Sequence, residues 1–196
     1  MTTILRIDSS IKGEASVSRK LLDRTQAHLT QTHAGAHVIT RDLSQGVPAI
    51  DGAWIGAVFT PAADRSPAQA EIAAFSDALL DEVRAADILL IGLPVYNFGV
   101  PAQLKSWIDH LARKGETFQY TEAGPEGLLT GKRAIVVLSS DGTKFGSEID
   151  FASGWLRHML GFFGITEVDF VHADQMVFDA ETTLKSAENQ IDALVA

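Results

Sequence analysis

The feature that most constrains this chain is the alternation of two kinds of apolar segment. Short runs rich in Ile, Val and Leu occupy residues 4–7, 37–40, 88–93, 134–138 and 166–171. Their apolar residues are mostly continuous, as in a parallel strand covered on both faces. Between them lie the longer segments 17–33, 68–85, 101–112, 152–163 and 180–195, whose apolar residues recur at helical spacing. A strand followed by a helix, five times over, predicts an α/β sheet wound on both faces. Turn chemistry agrees with these boundaries. Ser66-Pro67 places proline at the first helical position behind an N-cap serine, and Val100-Pro101 repeats the arrangement. Gly35 and Gly164 stand where C-terminal caps fall. Segments 46–67 and 115–131 are longer than ordinary connections, and both hold aromatics: Trp54 and Phe59, then Phe118 and Tyr120. Such segments carry short elements of their own, pack locally, or form a subunit interface or a lid.

Composition narrows the function. The 196 residues suit one domain, 1–196. The chain has no cysteine, which excludes disulfides, thiolate catalysis and iron–sulfur clusters. Asp and Glu number 25 against 16 Lys and Arg, a balance that argues against nucleic acid or an anionic membrane as partner. The longest apolar stretch, 88–95, is far short of the roughly 20 residues a membrane helix needs. Met1-Thr2-Thr3 leads directly into the first apolar run, so the expected location is the cytoplasm. No metal site is expected, because Gly35 interrupts the helix between His33 and His37. The segment from Gly127 to Arg133 has the wrong glycine spacing for a Walker loop and precedes a strand instead of following one. Asp109 with His110, Arg157 with His158, read as exposed helix faces.

In an open parallel sheet, ligands bind beyond the carboxyl ends of the strands. The first such loop, from Asp8 to Ser18, is serine-rich and runs into a helix. A helix N-terminus offers unpaired N–H donors, and Ser10, Ser16 and Ser18 add hydroxyls, a set suited to a phosphomonoester. One of these serines acting only as an N-cap is the plainer alternative. The third loop, Pro94-Val95-Tyr96-Asn97-Phe98-Gly99, combines a rigid turn with two aromatics that can flank a flat ring and an amide that can bond its edge. The fourth loop, Ser139-Ser140-Asp141-Gly142, is a third polar turn on the same edge. Together the loops describe a site for a phosphorylated planar cofactor. An electron carrier and a cofactor-free α/β module stay open on these residues alone, although the aromatic segment 115–131 speaks for a substrate cavity and against a simple carrier.

At these loops the chain resembles the FMN-dependent NADH azoreductases, which belong to the flavodoxin-like quinone reductases. The resemblance is carried by Ser9-Ser10 and Ser16-Val17-Ser18, by Pro94 to Phe98, by Thr121 to Leu128 with Thr130-Gly131-Lys132, and by Gly161 to Thr166. It implies a flavodoxin-like sheet of five strands in the order 2-1-3-4-5, and a homodimer. It implies FMN held at its phosphate by Ser10, Ser16, Val17 and Ser18, with Val95, Tyr96, Asn97, Phe98, Ser139, Ser140, Asp141 and Gly142 bordering the ring. Phe118, Tyr120 and Phe162 would shape a substrate cavity, some from the neighbouring subunit. It further implies NADH as donor, quinones or azo compounds as acceptors, and chemistry borne by the flavin with no catalytic side chain. Exposed aromatics such as Trp54 would fit the dimer. One departure stands out. The family's fourth loop often reads S-R-G-G, and here Ser140-Asp141 replaces the Arg-Gly pair. The added acid is expected to lower a bound flavin's reduction potential and leans towards NADH over NADPH.

Overall fold

A computed structural model describes residues 1–195. In chain order its elements are β1 (Thr3–Asp8), α1 (Val17–Thr32), β2 (His37–Asp42), α2 (Gly52–Phe59), α3 (Pro67–Ala85), β3 (Ile88–Pro94), α4 (Ala102–Leu111), β4 (Phe118–Thr121), β5 (Gly124–Gly127), β6 (Arg133–Ser139), α5 (Ser153–Phe163), β7 (Glu167–Ala173) and α6 (Ala180–Asp192). Five strands pair in parallel in the order β2-β1-β3-β6-β7. The expected order 2-1-3-4-5 has to be corrected to this, because it took no account of β4 and β5. These form a separate antiparallel hairpin between β3 and β6 in the chain. Each is four residues long; β5 reads Gly-Pro-Glu-Gly, and the alternation of Phe118 and Tyr120 in β4 is too short to stand out as a strand.

The continuous apolar runs are explained by two core layers. In β3, Ile88 and Leu90 face the layer built with α1 and α6, whereas Leu89, Ile91 and Leu93 face the layer built with α3, α4 and α5. In β6, Ile135 and Val137 face the first layer, Ala134, Val136 and Leu138 the second. Side chains alternate across a strand, so a strand buried on both sides needs apolar residues at every position. Burying a large aliphatic side chain contributes roughly 1.5–3 kcal/mol, and these strands bury one at nearly every step. Gly92 is the exception in β3. A Cβ there would lie 2.7 Å from Leu22 Cδ1, so glycine lets α1 pack close beneath the strand end.

Caps set the helix boundaries. Ser66 and Gln69 form a reciprocal capping box on α3 with Pro67 at its first position. Gly164 closes α5 in the left-handed region at φ 101. Segment 46–67 contains α2, which the pattern did not reveal because its eight residues include no polar side chain, so no apolar stripe stands out. Two expectations need correction here. Trp54 is buried, 7% exposed, against α3, with its indole N–H donating to Ser76 Oγ at 2.6 Å. His110 is also buried, at 2% exposed, on the inner face of α4. No helix among the described residues is long and apolar enough to cross a membrane.

Candidate functional site

The carboxyl ends of β1, β3 and β6 frame a cavity of about 370 Å³. Its walls include Ser10, Ser16 and Val17 from the first loop, Pro94 to Asn97 from the third, and Ser139, Ser140 and Asp141 from the fourth. The first loop is fixed from below. Ser9 Oγ donates to the Gly92 carbonyl at 2.6 Å, tying β1 to β3. The Arg19 guanidinium donates to the Ser10 carbonyl at 3.0 Å and to Asp42 Oδ1 at 2.6 Å. That Asp42 bond holds Arg19 above its ordinary range. Burial alone would raise the Asp42 carboxyl, but Arg19 and Ser44 hold it below the usual carboxylate range. Arg19 is thus spent on the loop's outer side and does not line the cavity.

Ser16 is the N-cap of α1, its Oγ accepting from Arg19 N at 3.2 Å and lying 3.1 Å from Ser18 Oγ. Val17 and Ser18 occupy the first two helical positions, so their N–H groups find no carbonyl within the helix. Hydroxyls and free N–H donors therefore converge at the positive end of the helix dipole. The set is neutral, and it matches a phosphomonoester in number and type of donor.

The third loop is a two-residue turn. Tyr96 and Gly99 exchange both backbone hydrogen bonds at 3.0 Å, and Asn97 and Phe98 have φ of 48 and 67. Both central residues lie in the left-handed region, the type I′ geometry, and a phenylalanine there costs of order 1–2 kcal/mol. The turn presents Asn97 at the cavity and leaves Phe98 53% exposed. The Tyr96 hydroxyl reaches back to the first loop, accepting from Ile11 N at 3.3 Å and lying 3.2 Å from Ser10 Oγ. The fourth loop is held to the sheet edge by Ser140 N donating to Ala173 O at 3.1 Å. Beyond it, Phe145 stacks on His172 at 4.5 Å, and Asp174 accepts from Phe145 N at 2.8 Å. Burial alone would raise Asp174, but the Phe145 N–H and His172 Nδ1, 2.8 Å from Asp174 Oδ1, hold it below the ordinary carboxylate range.

A structure with these features has close counterparts. The flavodoxin-like fold family matches residues 2–195. The chain belongs to the flavodoxin-like family. The FMN-dependent NADH:quinone oxidoreductase of Cereibacter sphaeroides is 62% identical over 196 residues, covering 100% of both chains. A protein of the same name from Jannaschia is 55% identical, again over 100% of both. The crystal structure of an FMN-dependent NADH-azoreductase from Bacillus anthracis in complex with FMN superposes with a TM-score of 0.88 at 25% identity, over 98% of this chain and 96% of that one.

Within this flavodoxin-like frame, Ser10, Ser16, Val17, Val95, Tyr96, Asn97, Ser139, Ser140 and Asp141 come together around one cavity. Ser18 sits just behind it through Ser16, and Phe98 and Gly142 are outside the lining. Phe118, Tyr120 and Phe162 gather elsewhere. Phe118 lies 4.5 Å from Phe162 and 5.6 Å from Tyr120, where the β4–β5 hairpin packs on α5. None of the three lines the cavity, and Tyr120 is 64% exposed. Sequence reading missed four lining residues, Lys12, Ala15, Pro94 and Met176. Lys12 was legible as the cation inside the serine loop. Met176 follows β7, an end that carries no motif. Asp141 is also not an isolated acid, since Lys12 Nζ lies 3.8 Å from its carboxylate. No group of three or more metal-ligating side chains occurs among the described residues.

Proposed function

We propose that this protein is an FMN-dependent NADH:quinone oxidoreductase that also reduces azo compounds, with the whole chain acting as one flavin-binding unit. The observation that carries this reading is one cavity that brings the serine hydroxyls and the N-terminus of α1 together with the Tyr96-Asn97 turn. The full-length relatives named above and the Bacillus azoreductase support it. When bound, FMN supplies the redox chemistry, taking hydride from NADH and passing two electrons to a quinone or azo acceptor.

The chain's own residues bind and orient. Ser10, Ser16, Val17 and Ser18 donate to the phosphate. Val95, Tyr96, Asn97 and Phe98, with Ser139, Ser140, Asp141 and Gly142, border the ring, and the locked turn fixes the direction of the Asn97 amide. A broad apolar groove lined by Val100, Pro101, Phe151 and Trp155 adjoins the cavity through Tyr96 and Asn97. NADH and then the acceptor enter there by turns, which gives ping-pong kinetics. No side chain acts as nucleophile. Phe98 and Phe151, joined by a backbone hydrogen bond of 3.1 Å and both more than half exposed, belong to a homodimer interface. In that dimer Phe118, Tyr120 and Phe162 shape the substrate cavity of the neighbouring site. A cytoplasmic location goes with NADH as donor.

Initial rates of NADH oxidation, measured at several quinone concentrations with the flavin-loaded protein, test this reading. Parallel double-reciprocal lines are expected. A yellow protein that passes no electrons from NADH to a quinone is a carrier and overturns the enzymatic reading.

A further inference from the structure

Two lining residues of the cavity carry charge, Lys12 and Asp141, and they face each other. Lys12 belongs to the loop after β1 and Asp141 to the loop after β6, with β3 between those strands in the sheet. Their ion pair, at 3.8 Å, therefore crosses above the end of β3. Both side chains are solvent-exposed, 55% and 81%, so the pair is weak and opens readily. The base of Lys12 is fixed where it counts, its backbone N–H donating to Ser10 Oγ at 3.3 Å. Asp141 is anchored too, its carbonyl accepting from Val177 N at 2.9 Å. Arg19, the other cation of this loop, is engaged by Asp42 and the Ser10 carbonyl on the outer side.

We propose that Lys12 is a phosphate-binding residue for the cofactor's phosphomonoester, and that Asp141 is the built-in anion it leaves when that phosphate arrives. This deepens the functional reading above and rests on it. A phosphomonoester carries close to two negative charges at neutral pH and outcompetes a single exposed carboxylate for an ammonium group. Before binding, the carboxylate keeps Lys12 over the cavity. To bind, the phosphate has to displace the carboxylate from Lys12, and that competition weakens binding. The acid in the fourth loop thus tunes retention of the cofactor.

The test compares FMN with riboflavin, which lacks the phosphate, using flavin fluorescence to obtain dissociation constants for the full-length protein. Lys12→Gln is expected to weaken FMN about fivefold and to leave riboflavin within about twofold. Asp141→Asn is expected to tighten FMN several-fold, and only while Lys12 is present, so the double variant gains nothing over Lys12→Gln. Lys185→Gln on α6, which makes the same change in net charge away from the cavity, serves as the control and is expected to change neither constant. Equal effects of Lys12→Gln on both flavins, or an FMN effect matched by the control, overturn the proposal while leaving the function intact. A wild-type protein that binds neither flavin overturns the functional reading and this inference with it.

Discussion

Tyr96 shows how one side chain couples two loops. Its ring follows β3, yet its hydroxyl is bonded within the serine loop, to Ile11 N–H and Ser10 Oγ. Tyr96→Phe leaves both without that partner. A lost hydrogen bond of this kind costs about 1 kcal/mol, so FMN affinity should fall roughly fivefold while the fold persists. Unchanged affinity in a fluorescence titration would show that the two loops are set independently. His110 works in the opposite direction, away from any chemistry. Its Nε2 lies 2.8 Å from the Pro48 carbonyl, which can only accept, so Nε2 carries the proton. Nδ1 then accepts from the Ser76 hydroxyl at 2.6 Å, whose oxygen accepts from Trp54. The network suits a neutral imidazole, and burial pushes the His110 pKa down despite the Pro48 carbonyl and Asp109. A group that binds its proton less tightly in the fold than in the unfolded chain adds stability above its ordinary value of about 6.5. That contribution is lost as the pH falls through the lower folded-state value. Urea midpoints should therefore drop more steeply from about pH 7 to pH 5 in the wild type than in His110→Gln. Equal slopes would contradict this account of the network.

At the scale of elements, the decisive contact is glycine on glycine. A Cβ on Gly127, at the end of β5, would lie 2.1 Å from the backbone nitrogen of Gly164, the C-cap of α5. Leu129 N donates to Phe163 O at 2.8 Å in the same place. Backbone cannot give way as a flexible side chain can, so Gly127→Ala must lift the hairpin from the helix. A loss of about 2–4 kcal/mol in chemical denaturation is expected, with the Phe118–Phe162 contact disturbed. An unchanged denaturation midpoint would mean that the hairpin is free to shift. The same region shows what the sequence could not reveal. The sheet strands were legible because they are buried on both faces and hence apolar throughout. The hairpin and α2 were not, because the hairpin strands are only four residues long and the eight residues of α2 include no polar side chain, so neither leaves a period. Trp54 and His110 were misread for a related reason. Polar atoms on a large ring suggest a surface, whereas here Ser76 and Pro48 satisfy them inside. The three site loops were legible as loops, since Ser, Pro, Gly and Asn have strong local preferences. Which of their residues meet across the cavity depends on strand order, and so the pairing of Lys12 with Asp141 emerged only in three dimensions.

For the molecule as a whole, a chain of net charge −9 leaves apolar surface exposed at Phe59, Phe98, Phe151 and Phe178. A homodimer that covers Phe98 and Phe151 should sediment at twice the mass of one chain. Phe151→Asp should shift it towards the monomer and slow quinone reduction, because in the proposed dimer the neighbouring chain completes the substrate cavity. A monomeric wild type with full activity would refute that arrangement. The fold, the cradle and the turn all serve one purpose in this account, which is to hold FMN by its phosphate over the end of β1 with its ring across the ends of β3 and β6. A crystal structure of the FMN-loaded protein tests this most directly. The account predicts phosphate oxygens within hydrogen-bond distance of Ser16 Oγ and the Val17 N–H, and a ring edge against Asn97. A phosphate bound elsewhere, with the serine loop holding only water, would contradict it.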